Sequence, residues 1–584
     1  MKKHRLITLL SILFSLSLGG CYLGEEEHVH TFSSEWSYNE THHWHSSTCE
    51  HVLKQNEEEH VFGEWVEVIK ATETKPGRRI RTCTICNYQN DEITKYQEDE
   101  TPVVPIVPTG DSLTLDIYAT NDIHGQIESD GYRMSLASLG TYMKKKGSQD
   151  NTLLLDQGDS WQGSIYSNHN RGALVNDVMC AAHYDARTVG NHDFDWGLQP
   201  LKDNTAREYN GYTIPVLAAN VYDYNFSTKT EGNIHQSDIG QKTVTYTLEN
   251  GLKVGIVGVI GQNQITSITS SYVQDICFKD HIPIVKEEAT KLRSEGCDIV
   301  IASAHTGQDD MMYQDLENYV DLVLCGHTHR NETGREGNLY YTQFGSYGYY
   351  IGHVQLTYDV NLKKVISTDI ESISRSQVEN SIVAPDNEIS SIINQYNNNC
   401  KEEAEVVLAN NTTEFSQSGE SVNLMCKAIM DKCLDEGYSN VILSYCNTAR
   451  KALPYGMWKY SDIYTSFPFD NIVYIVNIKG SDILREVKGY NNVCYNSSFN
   501  YQIDPNQYYQ IACLDYLLYH TNSYRNYDYF KSFTGVTVGQ LSMNYRLILR
   551  EWLLNNGYNQ GKSLSASDYS SSLNSFNRSL LTEI

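Results

Sequence analysis

The sequence predicts an α/β fold built in layers, and three observations predict it. From residue 112 onward apolar runs recur, as in LTLDIYATNDIHG, NTLLLDQGD, ARTVGNHDFD, DIVIASAHTG and DLVLCGHTH. Near-continuous Val/Ile/Leu runs of this length are what strands buried on both faces require. Between them lie amphipathic stretches such as RMSLASLGTYMKKK and IVKEEATKLRSEG, which read as helices. Each run also stops at polar residues, and in layered α/β folds sites form beyond the carboxyl ends of strands.

Taken in order, the chain opens with Lys2, Lys3, His4 and Arg5, followed by the apolar run Leu6–Leu18. That run is too short to span a bilayer and has the length of an export signal. Gly19 and Gly20 then precede Cys21. Residues 1–21 therefore read as a lipoprotein signal peptide, with the mature chain lipidated at Cys21 and held on the cell surface without a membrane-spanning helix.

Residues 28–96 contain two small repeats expected to be β-type. HTFSSEW (30–36) and HVFGEW (60–65) agree at His, Phe, Glu and Trp. Each unit is too small to fold without help. Cys83 and Cys86 form a CxxC pair that, with Cys49 and His51, either clamps zinc or pairs as exported cysteines do. A spacer or adhesive role fits this zone. Residues 97–111 are a stiff Pro-rich linker (TPVVPIVPTG, 101–110).

Composition excludes other classes. The 584 residues suggest several domains, and 40% hydrophobic content is enough for real cores. The net charge, 45 − 72 = −27, is the wrong sign for a partner such as a nucleic-acid polymer. The 14 cysteines are scattered rather than framework-like, and several, such as Cys325 in LVLCG, read as buried small hydrophobes.

The strand ends carry the chemistry. Asp122 and His124 are two apart, so in extended chain they point the same way, and His327 and His329 do likewise. Asp159, Asn191 and His305 each end a separate strand. Carboxylate, imidazole and amide oxygen together suit zinc, manganese or iron; calcium would not want four histidines. Seven such groups exceed one tetrahedral ion. Two ions sharing a carboxylate, about 3.5–4 Å apart, would clamp a phosphoryl group and turn a bridging water into hydroxide.

In their order, NDIHG, GD, GNHDFD, AHTG and GHTH resemble the calcineurin-like metallophosphoesterases, and within them the bacterial 5′-nucleotidase family. The resemblance implies a four-layer αββα metallophosphoesterase sandwich over 112–380. A connecting helix over 381–407 and a second α/β substrate-binding domain over 408–584 would follow. It implies two divalent metal ions, zinc or manganese. Asp122, His124, Asp159 and His329 would hold one, and Asp159, Asn191, His305 and His327 the other. His192 matches the family's catalytic histidine, with Asp195 fixing its tautomer. Asp193 is given no role. In the second domain SYCNTARKAL resembles the substrate loop, so Asn447 and Arg450 would contact substrate. In TSFPFDNIV, Phe469 would stack on a base and Asn471 would hydrogen-bond. Tyr516 or Tyr524 would supply a second ring and Asp528 the acidic residue of a turn.

The chain departs from the family in that half. The loop before Arg450 is short, SQSG (416–419) stands where a second Arg is expected, and SYRNYDYF (523–530) replaces a glycine-rich turn. The expected activity is hydrolysis of nucleoside 5′-phosphates outside the membrane, for nucleotide salvage, by attack of a metal-bound hydroxide. Cyclic nucleotides or nucleotide sugars are alternative substrates, and a surface-binding protein with a relic phosphatase domain is the alternative class.

Overall fold

Two three-stranded antiparallel meanders begin the part of the chain that the computed structural model describes, which comprises residues 30–39, 41–49, 53–69, 77–94, 111–224, 236–447, 449–489, 492–518 and 529–584. The expected signal peptide with Cys21, the Pro-rich linker at 101–110, His51, Tyr524 and Asp528 lie outside those residues. The chain divides into two compact units, Met1–Pro102 and Val103–Ile584. Among the described residues no helix is long and apolar enough to cross a membrane.

In the first unit, β1 (Phe32–Tyr38), β2 (His42–Ser47) and β3 (Lys54–Glu59) form one meander, and β4 (Val66–Ile69), β5 (Gly77–Thr82) and β6 (Gln89–Thr94) the other. The repeat seen in sequence is therefore a repeat of structure. His30 Nδ1 lies 3.3 Å from Cys49 Sγ, and His60 Nδ1 lies 3.3 Å from Cys86 Sγ. This corrects one expectation. Cys49 does not join Cys83 and Cys86, because the ends of the first meander close on each other and bring Cys49 to its own repeat's histidine. The side chains gathered around Cys83 and Cys86 are His43 and His60. Every described cysteine is a free thiol, and all but Cys49 are buried, so Cys325 and its like are core residues as their context predicts.

The second unit builds from the apolar runs. β7 (Ser112–Thr120), β8 (Thr152–Asp156) and β9 (Ala186–Thr188) are parallel neighbours, continued by 216–217 on one side and by the antiparallel strands 350–359 and 364–374 on the other. A second six-stranded sheet centres on β10 (Lys253–Ile260), β11 (Ile299–His305) and β12 (Leu322–Leu324), all parallel. Alternation explains the stacking of these sheets. Leu115, Ile117 and Ala119 of β7 pack with Val254, Ile256, Ile299 and Ile301 of the other sheet, forming the layer between them. Tyr118, on the opposite face of β7, packs with Leu139, Met143, Leu174 and Val178 of helices. Val257, Val259, Val300 and Ala302 face outward onto Ile284, Val285 and Leu292 of the helix His281–Ser294. The result is the expected four-layer αββα sandwich. Each fully buried Leu or Ile contributes on the order of 1.5–3 kcal/mol to it.

The helix expected in RMSLASLGTYMKKK runs Leu136–Gly147, started by Ser135, whose hydroxyl accepts from Ser138 N at 3.1 Å. The connecting helix is Asn387–Ala404, started by Asp386, and a separate short helix, Arg375–Ser381, precedes it. Ile389, Ile392 and Ile393 of the connecting helix belong to the first domain's helical core, while Ala404 belongs to the second domain's core.

The second domain is a five-stranded sheet ordered 492–495, 443–446, 508–514, 472–479, 537–544. Helices Glu420–Asp435 and Tyr545–Asn556 contribute Met425, Ile429, Ile548 and Leu549 to its core.

Candidate metal centre and active site

All five strand-end clusters converge. Asp122, His124 and His329 form one group whose ligand atoms lie within 4.8 Å of one another, and Asp159, His305 and His327 form a second. His124 Nε2 and His329 Nε2 stand 2.9 Å apart, and they lie 3.8 and 3.4 Å from Asp122 Oδ1. His305 Nε2 is 3.2 Å from Asp159 Oδ2 and 3.2 Å from Asn191 Oδ1, which also lies 2.9 Å from His327 Nδ1.

The local backbone is not the extended chain expected from the two-residue spacings. β7 ends at Thr120, and Asp122 and His124 sit beyond it at φ 50° and 49°. His327 (73°), His329 (60°) and Asp159 (54°) are also left-handed. Side chains two apart still converge, but through tight turns rather than a pleat. Such φ values cost roughly 1–3 kcal/mol each in non-glycine residues and persist where the surroundings hold them. Here the hydrogen bonds do so: Asp122 N donates to Gly158 O at 2.9 Å, His124 N to Asp159 O at 3.0 Å, and His327 N to Asp122 Oδ2 at 2.9 Å. Close approach also demands a glycine. A Cβ on Gly190 would sit 2.1 Å from Asp159 Oδ1.

The donor set fits divalent cations. Asp122 and Asp159 are buried, yet among the described residues neither pairs with Lys or Arg; imidazoles are the ionisable groups facing them, beside N–H donors from Asn121, His327 and His192. Burial and the neighbouring His329 hold His124 well below the ordinary histidine range, and burial and His305 bring His327 down to about 4. Neutral imidazole is the form that ligates a metal. Burial opposes charge on His305, but the Asp159 carboxylate prevails and lifts it to about 9. Backbone carbonyls orient two rings: His124 Nδ1 lies 3.1 Å from Gln162 O, and His305 Nδ1 lies 2.7 Å from Gln157 O.

His192 stands beside this centre. Its backbone N–H donates to Asp159 Oδ1 at 2.8 Å, and its Nδ1 is 2.7 Å from Asp195 Oδ2. The short helix Asn191–Phe194 brings Asp195 back under the ring. Beneath it lies a contact that sequence reasoning missed. Asp193, assigned no role, accepts from Gly190 N at 2.8 Å and pairs with Arg187 at 2.7 Å, both side chains fully buried. The Arg187 guanidinium lies 3.7 Å from the centroid of the Trp161 ring. An Arg inside the run ARTVG was the available signal, because a charge there needs a buried partner.

The substrate-side residues divide. Arg450 reaches from the second domain to the first: its Nη2 lies 3.2 Å from His192 Nε2, and its guanidinium lies 5.7 Å from the Phe469 ring. Phe469 stacks, but on His192, at 5.5 Å and 27°. The buried Arg546 holds the Phe469 loop, donating to Phe469 O at 2.6 Å and pairing with Asp470. Asn471 is occupied, donating to Asp515 Oδ1 at 2.7 Å and to Thr269 Oγ1 at 3.4 Å. The Tyr516 ring lies 6.1 Å from that of Tyr529. Asn447 follows the strand Leu443–Cys446, half-buried, three residues before Arg450. A cleft of about 730 Å³ opens beside His124 and is lined by Arg133, Tyr347, Arg450, Lys451 and Thr465, among others. Arg133 and Lys451 had no place in the sequence reading.

Residues 115–331 match the Calcineurin-like phosphoesterase family. A snake venom 5′-nucleotidase of Naja atra is 27% identical over 423 residues, which cover 64% of this chain and 77% of the venom protein. A 5′-nucleotidase of Diplobatis ommata is 30% identical over 277 residues, 42% of this chain and 46% of that protein, so the match spans under half of that relative. The solved 5′-nucleotidase precursor from Thermus thermophilus shares the fold, with TM-score 0.61 and 18% identity over 76% of this chain and 96% of that one.

Proposed function

We propose that this chain, a metal-dependent phosphoester hydrolase related to the 5′-nucleotidases, takes nucleoside 5′-monophosphates as its substrates. Asp122, His124 and His329 would hold one divalent ion with Asp159, and Asp159, Asn191, His305 and His327 the other. When bound, two such ions would polarise a phosphoryl group and lower the pKa of a water molecule there.

The chain's own residues do the rest. Arg450 presents a planar guanidinium beside the centre and binds the phosphate oxygens. Asp195 fixes the His192 ring with Nδ1 toward the carboxylate, which leaves Nε2 facing the reacting group. Once Arg450 turns to the phosphate, His192 in its imidazolium form, which Asp195 stabilises, gives its Nε2 proton to the leaving ester oxygen or stabilises charge there. Phe469 moves from His192 to the base when the nucleoside enters. Its present stacking leaves the ring half-buried and available. The reading rests above all on the contact between Arg450 and His192, which joins a substrate-type residue of one domain to the catalytic machinery of the other. Export and lipid anchoring at Cys21, inferred from residues 1–21, would place this activity outside the cell membrane in nucleotide salvage.

The test is phosphate release by the full chain from AMP, UMP, UDP-glucose, 2′,3′-cyclic AMP and an aryl phosphate, with chelator and with added Zn²⁺ or Mn²⁺. Chelator-sensitive turnover of the monophosphates is expected. Turnover of the aryl phosphate alone would overturn the nucleotide reading. Silence with every metal would return the chain to a surface-binding role.

A further inference from the structure

We propose that the N-terminal unit holds a structural zinc ion on His43, His60, Cys83 and Cys86. The four donor atoms lie within 4.8 Å of one another. Zinc bonds of about 2.0 Å to nitrogen and 2.3 Å to sulfur put tetrahedral ligand atoms roughly 3.3–3.8 Å apart. The 3.3 Å between His60 Nδ1 and Cys86 Sγ already has that length.

The decisive side chain is His43. It is fully buried, and neither ring nitrogen has a hydrogen-bond partner. A buried imidazole without partners is costly unless something accepts its lone pair. His60 is prepared from behind: its Nε2 lies 2.8 Å from Asn39 O, so the ring proton goes there and the Nδ1 lone pair faces the thiols. Tyr88 stacks on the His60 ring at 4.6 Å and fixes its plane. The cysteines sit on the tight turn between β5 and β6. Cys83 N donates to Tyr88 O at 2.8 Å, Asn87 N donates to Cys83 O at 3.1 Å, and Asn87 has φ 61°. This turn points both sulfurs inward, and Cys83 and Cys86 are buried free thiols.

The charges balance. Two thiolates and two neutral imidazoles neutralise Zn²⁺, and the two thiol protons pass to solvent on binding. The site also supplies what the unit lacks. β3 is exposed along its whole length, and meanders this small cannot build a core. The ion would tie β2 of the first meander to the β5–β6 turn of the second. The first repeat has no CxxC pair, because Ser46 occupies the place before Cys49 that Cys83 holds before Cys86.

The experiment uses the full chain, reduced and kept from oxygen, titrated with Co²⁺. The catalytic centre offers only nitrogen and oxygen donors, so a thiolate-to-cobalt charge-transfer band in the near ultraviolet reports the N-terminal site alone. The expected result is that band, saturating at one equivalent of its own site and abolished by Zn²⁺. In the double variant Cys83→Ser, Cys86→Ser the band is absent and bound zinc falls by one ion per chain, while aryl phosphate turnover is unchanged. The variant could lose its local fold, but the unaltered chain's band decides the matter without it. Absence of the band in the reduced unaltered chain would overturn the proposal. So would a Cys83–Cys86 disulfide, found by mass, in protein isolated without reductant but with zinc supplied throughout.

Discussion

Arg187 and Asp193 form an ion pair at 2.7 Å with neither side chain exposed, under the turn that carries Asn191 and His192. The pair positions the turn from inside, since Asp193 also binds Gly190 N. Arg187 also lies 3.9 Å from the buried Asp156, so losing Arg187 strands two buried carboxylates and costs about 3–5 kcal/mol, whereas losing the Asp193 charge still leaves Arg187 a buried partner. Arg187→Met should therefore destabilise by that order in denaturant unfolding, and Asp193→Asn by less. The double variant should be less destabilised than the sum of the two. Simple additivity would show that the pair does not act as a unit.

The contact between His192 and Asp195 makes a kinetic prediction. His192→Ala should lower kcat by about 10²–10⁴-fold, the usual contribution of a positioned proton donor. Asp195→Asn should lower it less and leave KM nearly unchanged. Metal content, measured by plasma mass spectrometry, should remain as in the parent for both. A loss of metal in either would assign these residues to holding the centre together.

Arg450 should act on substrate capture. A hydrogen bond to a charged group is worth about 1.5–3 kcal/mol, so Arg450→Met should reduce kcat/KM for AMP by roughly 10–100-fold. Arg450→Lys should restore little, because an ammonium cannot reproduce the fork. Equal effects on AMP and on free phosphate inhibition would be consistent with phosphate contact. An effect on AMP alone would place Arg450 against the nucleoside.

Metal removal should be visible in stability as well as in turnover. Asp122 and Asp159 are buried without Lys or Arg partners among the described residues. Ions binding only the folded state at 100 times Kd add about 2.7 kcal/mol. Chelator should lower the Tm of the unaltered chain, and added Zn²⁺ or Mn²⁺ should restore it. In Asp159→Ala the Tm should respond much less to either.

The layered fold was legible because both faces of its central strands are apolar, and a chain writes that plainly: Leu115 to Ala119 reads as a buried strand before any coordinate is known. The gathering of Asp122, His124, Asp159, Asn191, His305, His327 and His329 at one place was legible because every strand end faces the same side. Their backbone was not. Nothing in NDIHG or GHTH announces left-handed φ at non-glycine residues, which depends on hydrogen bonds such as Asp122 N to Gly158 O. Asp193 was passed over because its partner, Arg187, is concealed within an apolar run. Asn471 looked free in sequence, and Asp515, distant along the chain, occupies it. The company kept by Cys83 and Cys86 was misjudged for a related reason. Ligand type alone put Cys49 and His51 beside them, although His60 lies nearer along the chain, and the folded meanders deliver His43 and His60 instead.

The helix Asn387–Ala404 lends its first turns to one core and its last residue to the other. It is a shared beam rather than a tether. A chain cut just after Ser381 strands Ile389, Ile392 and Ile393 on a fragment that has no pocket for them. A cut after Ala404 keeps the beam with the first fragment and removes little from the second. Two-piece versions of this protein should therefore reassemble from the second break far more readily than from the first, and the helix would mark where such a fold can be divided between two genes.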